Sequence, residues 1–338
     1  MPSSPLMPKI GIVLPIADED DGNGVPAHAQ VRDVALAAEA AGFDSVWVFD
    51  HLLFRGGGEE SGIHECWTIL AAIAETTHRV QLGTIVLCTG FRNAALQAKM
   101  AATLDHVSGG RLIFGIGSGW HDPEFEAFGY PTDHKVGRFA ESLDVITSLI
   151  RTGRSTLDGR WVTTRDAVLL PPARPDLPIL IAAKGPRMLE LAARHADAWN
   201  LAWFGLPDER LARVRGELLA ACDRVGRDPE EIEITVGITA RYGAAAEAAT
   251  AADPPRAGLS GTTRAIADGL RAHVDQGASH LIVSLDPATP ATVAELATAV
   301  ALLRAEVARP PTSADCHSGS VRGPRCRGDR VAGHSAAR

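Results

Sequence analysis

A (β/α)8 TIM barrel with insertions after strands 4 and 7 is the fold class this sequence predicts, and three observations predict it. Apolar runs of strand length alternate about eight times with runs of helical period along most of the 338 residues, and eight such repeats close a barrel. The connections between them are mostly as short as those of βαβ units. The second strand run, GFDSVWVFDH at 42–51, passes from alternating apolar residues straight into Asp50 and His51. In a parallel barrel the carboxyl ends of the strands share one mouth and carry the chemistry.

The bulk properties agree. Hydrophobic residues make up 46%, charged residues 22%, and the formal net charge is −8, which excludes a disordered chain or a basic nucleic-acid binder. Cys66, Cys88, Cys222, Cys316 and Cys326 are odd in number and lack CxxC spacing, so a reducing cytoplasm is expected rather than a disulfide framework. Pro2, Pro5 and Pro8 interrupt the start, no apolar segment follows Lys9, and no run reaches membrane length, so neither a signal peptide nor a membrane partner is expected.

The elements follow in order. A buried strand is predicted at 9–14 and an amphipathic helix at 29–41, ended by Gly42. Strand two covers 43–49, a helix 64–76, strand three 80–86, a helix 94–107 and strand four 111–116. The helix expected at 134–152 precedes a segment with an Asp158-Gly159 hairpin signal and a proline-rich stretch at 170–178, read as an insertion. Strand five (179–183), a helix (186–195), strand six (198–203), a helix (207–225) and strand seven (232–238) come next. The Ala, Gly and Pro-rich stretch 243–261 reads as a mobile loop and a candidate lid. A helix at 263–276, a strand at 279–285 and a helix at 290–307 complete the repeat. Residues 1–308 thus form the barrel. Residues 309–338 hold six arginines and two aspartates with almost no aliphatic residues, the composition of a disordered basic tail.

His51 is the leading acid or base because imidazole titrates near neutral pH. Neighbours on a strand face opposite ways, so Asp50 and His51 are expected to serve separate tasks rather than form a dyad. Gly115-Ile116-Gly117-Ser118-Gly119-Trp120 leaves backbone accessible after strand four but lacks the third glycine of a dinucleotide fingerprint. Lys184, Gly185, Arg187 and Met188 open the helix after strand five and suit an anion. The run 83–92 adds mouth residues at the end of strand three. His64, His78, His106, His121, His134 and His195 show no metal-ligand spacing, and no GxSxG elbow occurs. Trp47, Trp67, Trp161 and Trp199 read as packing residues.

The segments GFDSVWVFDH, LGTIVLCTGFRNAALQAKMAATLDHVSGGRLIFGIGSGW, AFG at 127–129 and AAKGPRMLELAARHADAWN together resemble the bacterial luciferase-like monooxygenase superfamily. Within it they look most like the actinobacterial class of oxidoreductases dependent on coenzyme F420. The resemblance spans about residues 10–303 and leaves out the tail. It implies a barrel that holds a flavin or deazaflavin ring at its mouth, a non-prolyl cis peptide at Ile85-Val86 behind the ring, and a homodimer. It places Asp50, Cys88, Ser118 and Gly119 at the ring, Lys184, Gly185, Arg187 and Met188 at the ribityl phosphate, and His51 at the catalytic position of the sugar-phosphate dehydrogenase branch.

Departures from that branch redirect the substrate. Trp120 stands where it has an acidic residue, and Ala202 and Gly205 stand where it has threonine and lysine, so glucose 6-phosphate is not the expected substrate. Trp120, Trp203 and Phe204 would wall the pocket for a small, uncharged molecule. The implied activity is hydride transfer between F420 and that substrate. The alternatives are an FMN-dependent monooxygenase fed with reduced flavin by a separate reductase, or a non-catalytic flavin-binding protein.

Overall fold

The computed structural model describes residues 7–18, 24–56, 59–252 and 254–308. The tail, with Cys316 and Cys326, lies outside the described residues. The barrel strands are β1 Lys9–Val13, β2 Ser45–Val48, β3 Gln81–Thr84, β4 Leu112–Gly117, β5 Ile179–Ala182, β6 Ala198–Phe204, β7 Glu233–Arg241 and β8 His280–Asp286. All neighbours pair in parallel, and β4 pairing with β5 closes the ring. A ninth strand in the sheet, Leu87–Cys88, continues β3 beyond a cis Ile85-Val86 peptide and pairs with the end of β4. The cis bond implied by the resemblance is present.

The outer ring consists of α1 His28–Ala40, α2 Cys66–Thr76, α3 Ala94–Val107, α4 Lys135–Thr152, α5 Pro186–His195, α6 Glu209–Val225, α7 Thr263–Asp275 and α8 Pro290–Val307. Polar side chains cap many of their starts: Glu65 accepts the N–H groups of Trp67 and Thr68, Asn93 that of Leu96, and Asp208 those of Arg210 and Leu211. Such caps satisfy donors that a helix leaves open, each contributing about 1 kcal/mol. Gly42, with φ 83°, takes the left-handed turn that ends α1.

Two expectations change. The stretch after β7 is not a loop throughout: its alanine-rich first part forms a helix, Gly243–Ala251, because alanine has the highest helix propensity and outweighs the surrounding turn residues. Leu259 then returns to bridge Ala240 in parallel. A small antiparallel hairpin, Phe54–Gly56 with Glu59–Ser61, follows β2, where no insertion was expected. The hairpin predicted around Asp158-Gly159 is present as Arg154–Asp158 with Thr163–Val168. It docks on α4 because Glu141 accepts the N–H groups of Arg160, Trp161 and Val162.

Trp47 fills the floor of the barrel. A Cβ on Gly11 would lie 2.4 Å from its indole nitrogen, and one on Gly83 2.1 Å from its ring carbons, so glycine on both flanking strands makes room for one large side chain. The indole N–H donates to Ser45 Oγ at 2.8 Å, and that hydroxyl lies 2.7 Å from His280 Nε2. Burial, with Lys9 nearby, pushes the His280 pKa down to about 3, so the floor is neutral. Trp47→Ala should cost about 3–5 kcal/mol by leaving a cavity between two glycines, read as a lower urea midpoint followed by circular dichroism.

Candidate active site

At the end of β2 the chain divides its two ionisable neighbours between two directions. His51 faces the mouth, with a side chain 14% exposed. Asp50 turns beneath the loops and is 3% exposed. The alternation of an extended chain produces this split, and the separate tasks predicted for the pair are what the geometry shows.

Asp50 organises the loop after β3. It accepts Cys88 N–H at 2.9 Å and takes two hydrogen bonds from Arg92, at 2.6 and 3.0 Å. The second Arg92 nitrogen also reaches Glu65, the α2 cap, at 2.6 Å. Burial opposes the guanidinium charge, but the Asp50 and Glu65 contacts outweigh it and raise the Arg92 pKa. The same burial pushes the Cys88 thiol up to about 12, with the Asp50 and Glu124 charges adding to it. Cys88 is therefore a neutral packing residue beside the mouth.

His51 has a dedicated partner. Its Nδ1 lies 2.8 Å from Glu124 Oε1, while Glu124 Oε2 accepts Leu52 N–H at 2.7 Å. Glu124 is 1% exposed. Burial alone would raise its pKa, yet the hydrogen bonds from His51 and Leu52 hold it below the ordinary carboxylate value. With a carboxylate at Nδ1, the Nδ1–H tautomer is assigned and Nε2 is left for another partner. Around the imidazole stand Phe54, 4.4 Å between ring centres, and Trp120, edge-on at 5.5 Å.

The remaining predicted residues fall into three groups. Ile85 is buried in the barrel interior with Val86 packed beside it, and a Cβ on Gly117 would lie 2.7 Å from Val86 Cγ2. Ser118 and Gly119 follow at the end of β4, and Gly119 has φ 76°. A Cβ there would meet Phe125 and the Cys88 sulfur within 2.7 Å.

At α5, Gly185 is the N-cap without a side-chain cap, and no heavy atom lies within 4 Å of a Cβ built on it. The side chains of Lys184 and Arg187 are exposed and make no hydrogen bond or ion pair among the described residues. Met188 turns its side chain into the core, so only its backbone is available to a ligand.

Trp120 and Trp203 are 68% and 40% exposed at the mouth. Phe204 is not a pocket wall. The register of β6 shifts against β7 between Leu201 and Phe204, which turns Trp203 across Gly237 and sends Phe204 outward, edge-on to His273 and under Arg210.

The profile of the luciferase-like monooxygenases matches residues 7–307. The chain belongs to that family. A phthiodiolone/phenolphthiodiolone dimycocerosates ketoreductase of Mycobacterium sp. (strain JLS) is 37% identical over 237 residues, 62% of each chain. An F420-dependent glucose-6-phosphate dehydrogenase of Amycolatopsis mediterranei is 36% identical over 173 residues, covering 49% of this chain and 51% of that one. The chain thus spans less than two thirds of the curated relatives it matches. An F420-dependent secondary alcohol dehydrogenase, solved with an F420-acetone adduct, superposes with a TM-score of 0.73 at 19% identity over 88% of this chain and 99% of that one, which shows a shared fold.

Two residues of this luciferase-like site escaped sequence reasoning. Arg92 lay inside a run noted only for its position. Glu124 sits in a short helix, Asp122–Ala127, that was not anticipated. Its signal was there: an acidic first turn with Pro123, directly after the β4 glycines, marks a helix start at the mouth. Glu124→Gln keeps an acceptor for Leu52 but removes the charge facing His51. In the folded protein the Glu124 pKa lies below its ordinary 4.5, so its contribution to stability is present above that pH and is lost as pH falls through the folded value. The stability gap between wild type and the variant should therefore narrow in acid.

Proposed function

We propose that the protein is an F420-dependent oxidoreductase that transfers a hydride between the deazaflavin and a small, uncharged alcohol or carbonyl compound. The observation that carries the proposal is the His51–Glu124 pair at the mouth, a proton-exchanging group with its outer nitrogen occupied and its inner one open. An F420-dependent relative at 36% identity supports the cofactor. The residues present also fit it: Trp47 closes the floor beneath, the β3 bulge at Ile85-Val86 offers a wall, and the uncompensated Lys184 and Arg187 beside open Gly185 suit the phosphate.

When bound, the deazaflavin supplies a carbon centre that donates or accepts hydride. The chain's own residues do the rest. His51 Nε2 takes the hydroxyl proton when an alcohol is oxidised and returns it when a carbonyl is reduced, while the Glu124 charge stabilises the imidazolium formed in between. Trp120 and Trp203 present aromatic surface beside His51, which favours an uncharged substrate over a sugar phosphate. Asp50 acts on the site through the Cys88 loop it fixes.

Side-by-side fluorescence titration with F420 and FMN should show selective F420 binding. Selective FMN binding with oxygen consumption would instead favour the monooxygenase reading. His51→Ala should keep F420 affinity within a few-fold and lose roughly 10²-fold or more in turnover. Wild-type turnover in that variant would reject the role.

A further inference from the structure

A two-lobed cleft runs from the mouth along the start of α4 to the inserted hairpin. The outer lobe, about 470 Å³, is lined by Trp120, His134, Lys135, Gly137, Trp161 and Arg187 among others. The inner lobe, about 200 Å³, continues past Lys135 and Trp161 to Arg138, Ser142 and Thr163. Trp161 separates the two as a shared wall, and it fits there because a Cβ on Gly137 would lie 2.7 Å from its ring.

The lining is cationic and rich in donors. Lys135, with a side chain 15% exposed, stands between the lobes and is held by Asp122. Arg138, paired with Asp133, and Arg160 stack on Trp161. Arg187 is unpaired and belongs both to this cleft and to the α5 start proposed for the phosphate. The N–H groups of Lys135, Val136 and Gly137 have no acceptor among the described residues, and His134 provides no side-chain cap. Ser118 and Thr163 add hydroxyls to the inner lobe. A single phosphate at α5 would leave all of this unused.

We infer that the cleft binds an anionic chain that continues from that phosphate, namely the oligoglutamate tail of coenzyme F420; the inference rests on the cofactor reading above. FMN ends at its phosphate. F420 goes on through a lactyl group into linked carboxylates, which match a row of cations and backbone donors beginning at Arg187. Lys135 would exchange Asp122 for a tail carboxylate, an exchange of one charge-assisted contact for another.

Three ligands test this by fluorescence titration: the deazaflavin chromophore without phosphate, its phospholactyl form without glutamate, and F420 with several glutamates. At low salt the glutamates should tighten binding about 5- to 10-fold, and high salt should erase the gain. Lys135→Glu suits the first turn of α4 by the helix dipole but faces Asp122, so circular dichroism checks its fold, and in the folded variant the gain from glutamates should be lost. Arg138→Gln should reduce that gain in part. Equal affinity with and without glutamates, or a full gain in Lys135→Glu, would overturn the cleft assignment and leave the cofactor reading standing. Failure of all three ligands to bind would overturn both.

Discussion

The site depends on one half-buried guanidinium. Arg92 joins Asp50 at the end of β2, the Cys88 amide through Asp50, and the Glu65 cap of α2, so three elements share one charge. A buried ion strongly destabilises a fold when it loses its partner, and this makes the arrangement nearly all-or-none. Once Asp50 is committed to the outer side, strand alternation leaves His51 no direction but the mouth. The chemistry of the imidazole follows from where its neighbour's charge had to go.

Above that constraint, the barrel grades from large to small. Trp47 and its two flanking glycines fill the floor, whereas higher up Gly117 leaves room for Val86 and Gly237 for Trp203. Close packing below and open space above are built from the same eight strands. The barrel interior is graded in charge as well: the floor histidine is neutral, and the Asp50–Arg92–Glu65 cluster lies at the upper rim.

The eightfold repeat was legible because apolar periodicity is a local property, and the strand and helix positions followed within a few residues. The end of β2 was legible for the same reason: Asp50 and His51 sit at a visible break in alternation. Glu124 and Arg92 were not, since their roles arise from contacts 73 and 42 residues away in sequence, and no local pattern states a tertiary partner. Phe204 was misplaced because it was put on the same wall as its neighbour Trp203, although adjacent residues of a strand face opposite ways, and the register shift at this point shows only in the strand pairing. The helix at Gly243–Ala251 was missed because glycine and proline around it were weighted above its alanines.

Trp120 and Trp203 expose aromatic rings at the mouth, and neither indole makes a side-chain hydrogen bond among the described residues. The His51–Glu124 pair and the ion cluster beneath it are tied into the fold by hydrogen bonds, but these two rings are not. Under the proposed reading, substrate choice and proton exchange then rest on side chains that are held in different ways. A lineage carrying this scaffold can exchange the rings and explore new substrates while its core, and the reaction itself, stay unchanged.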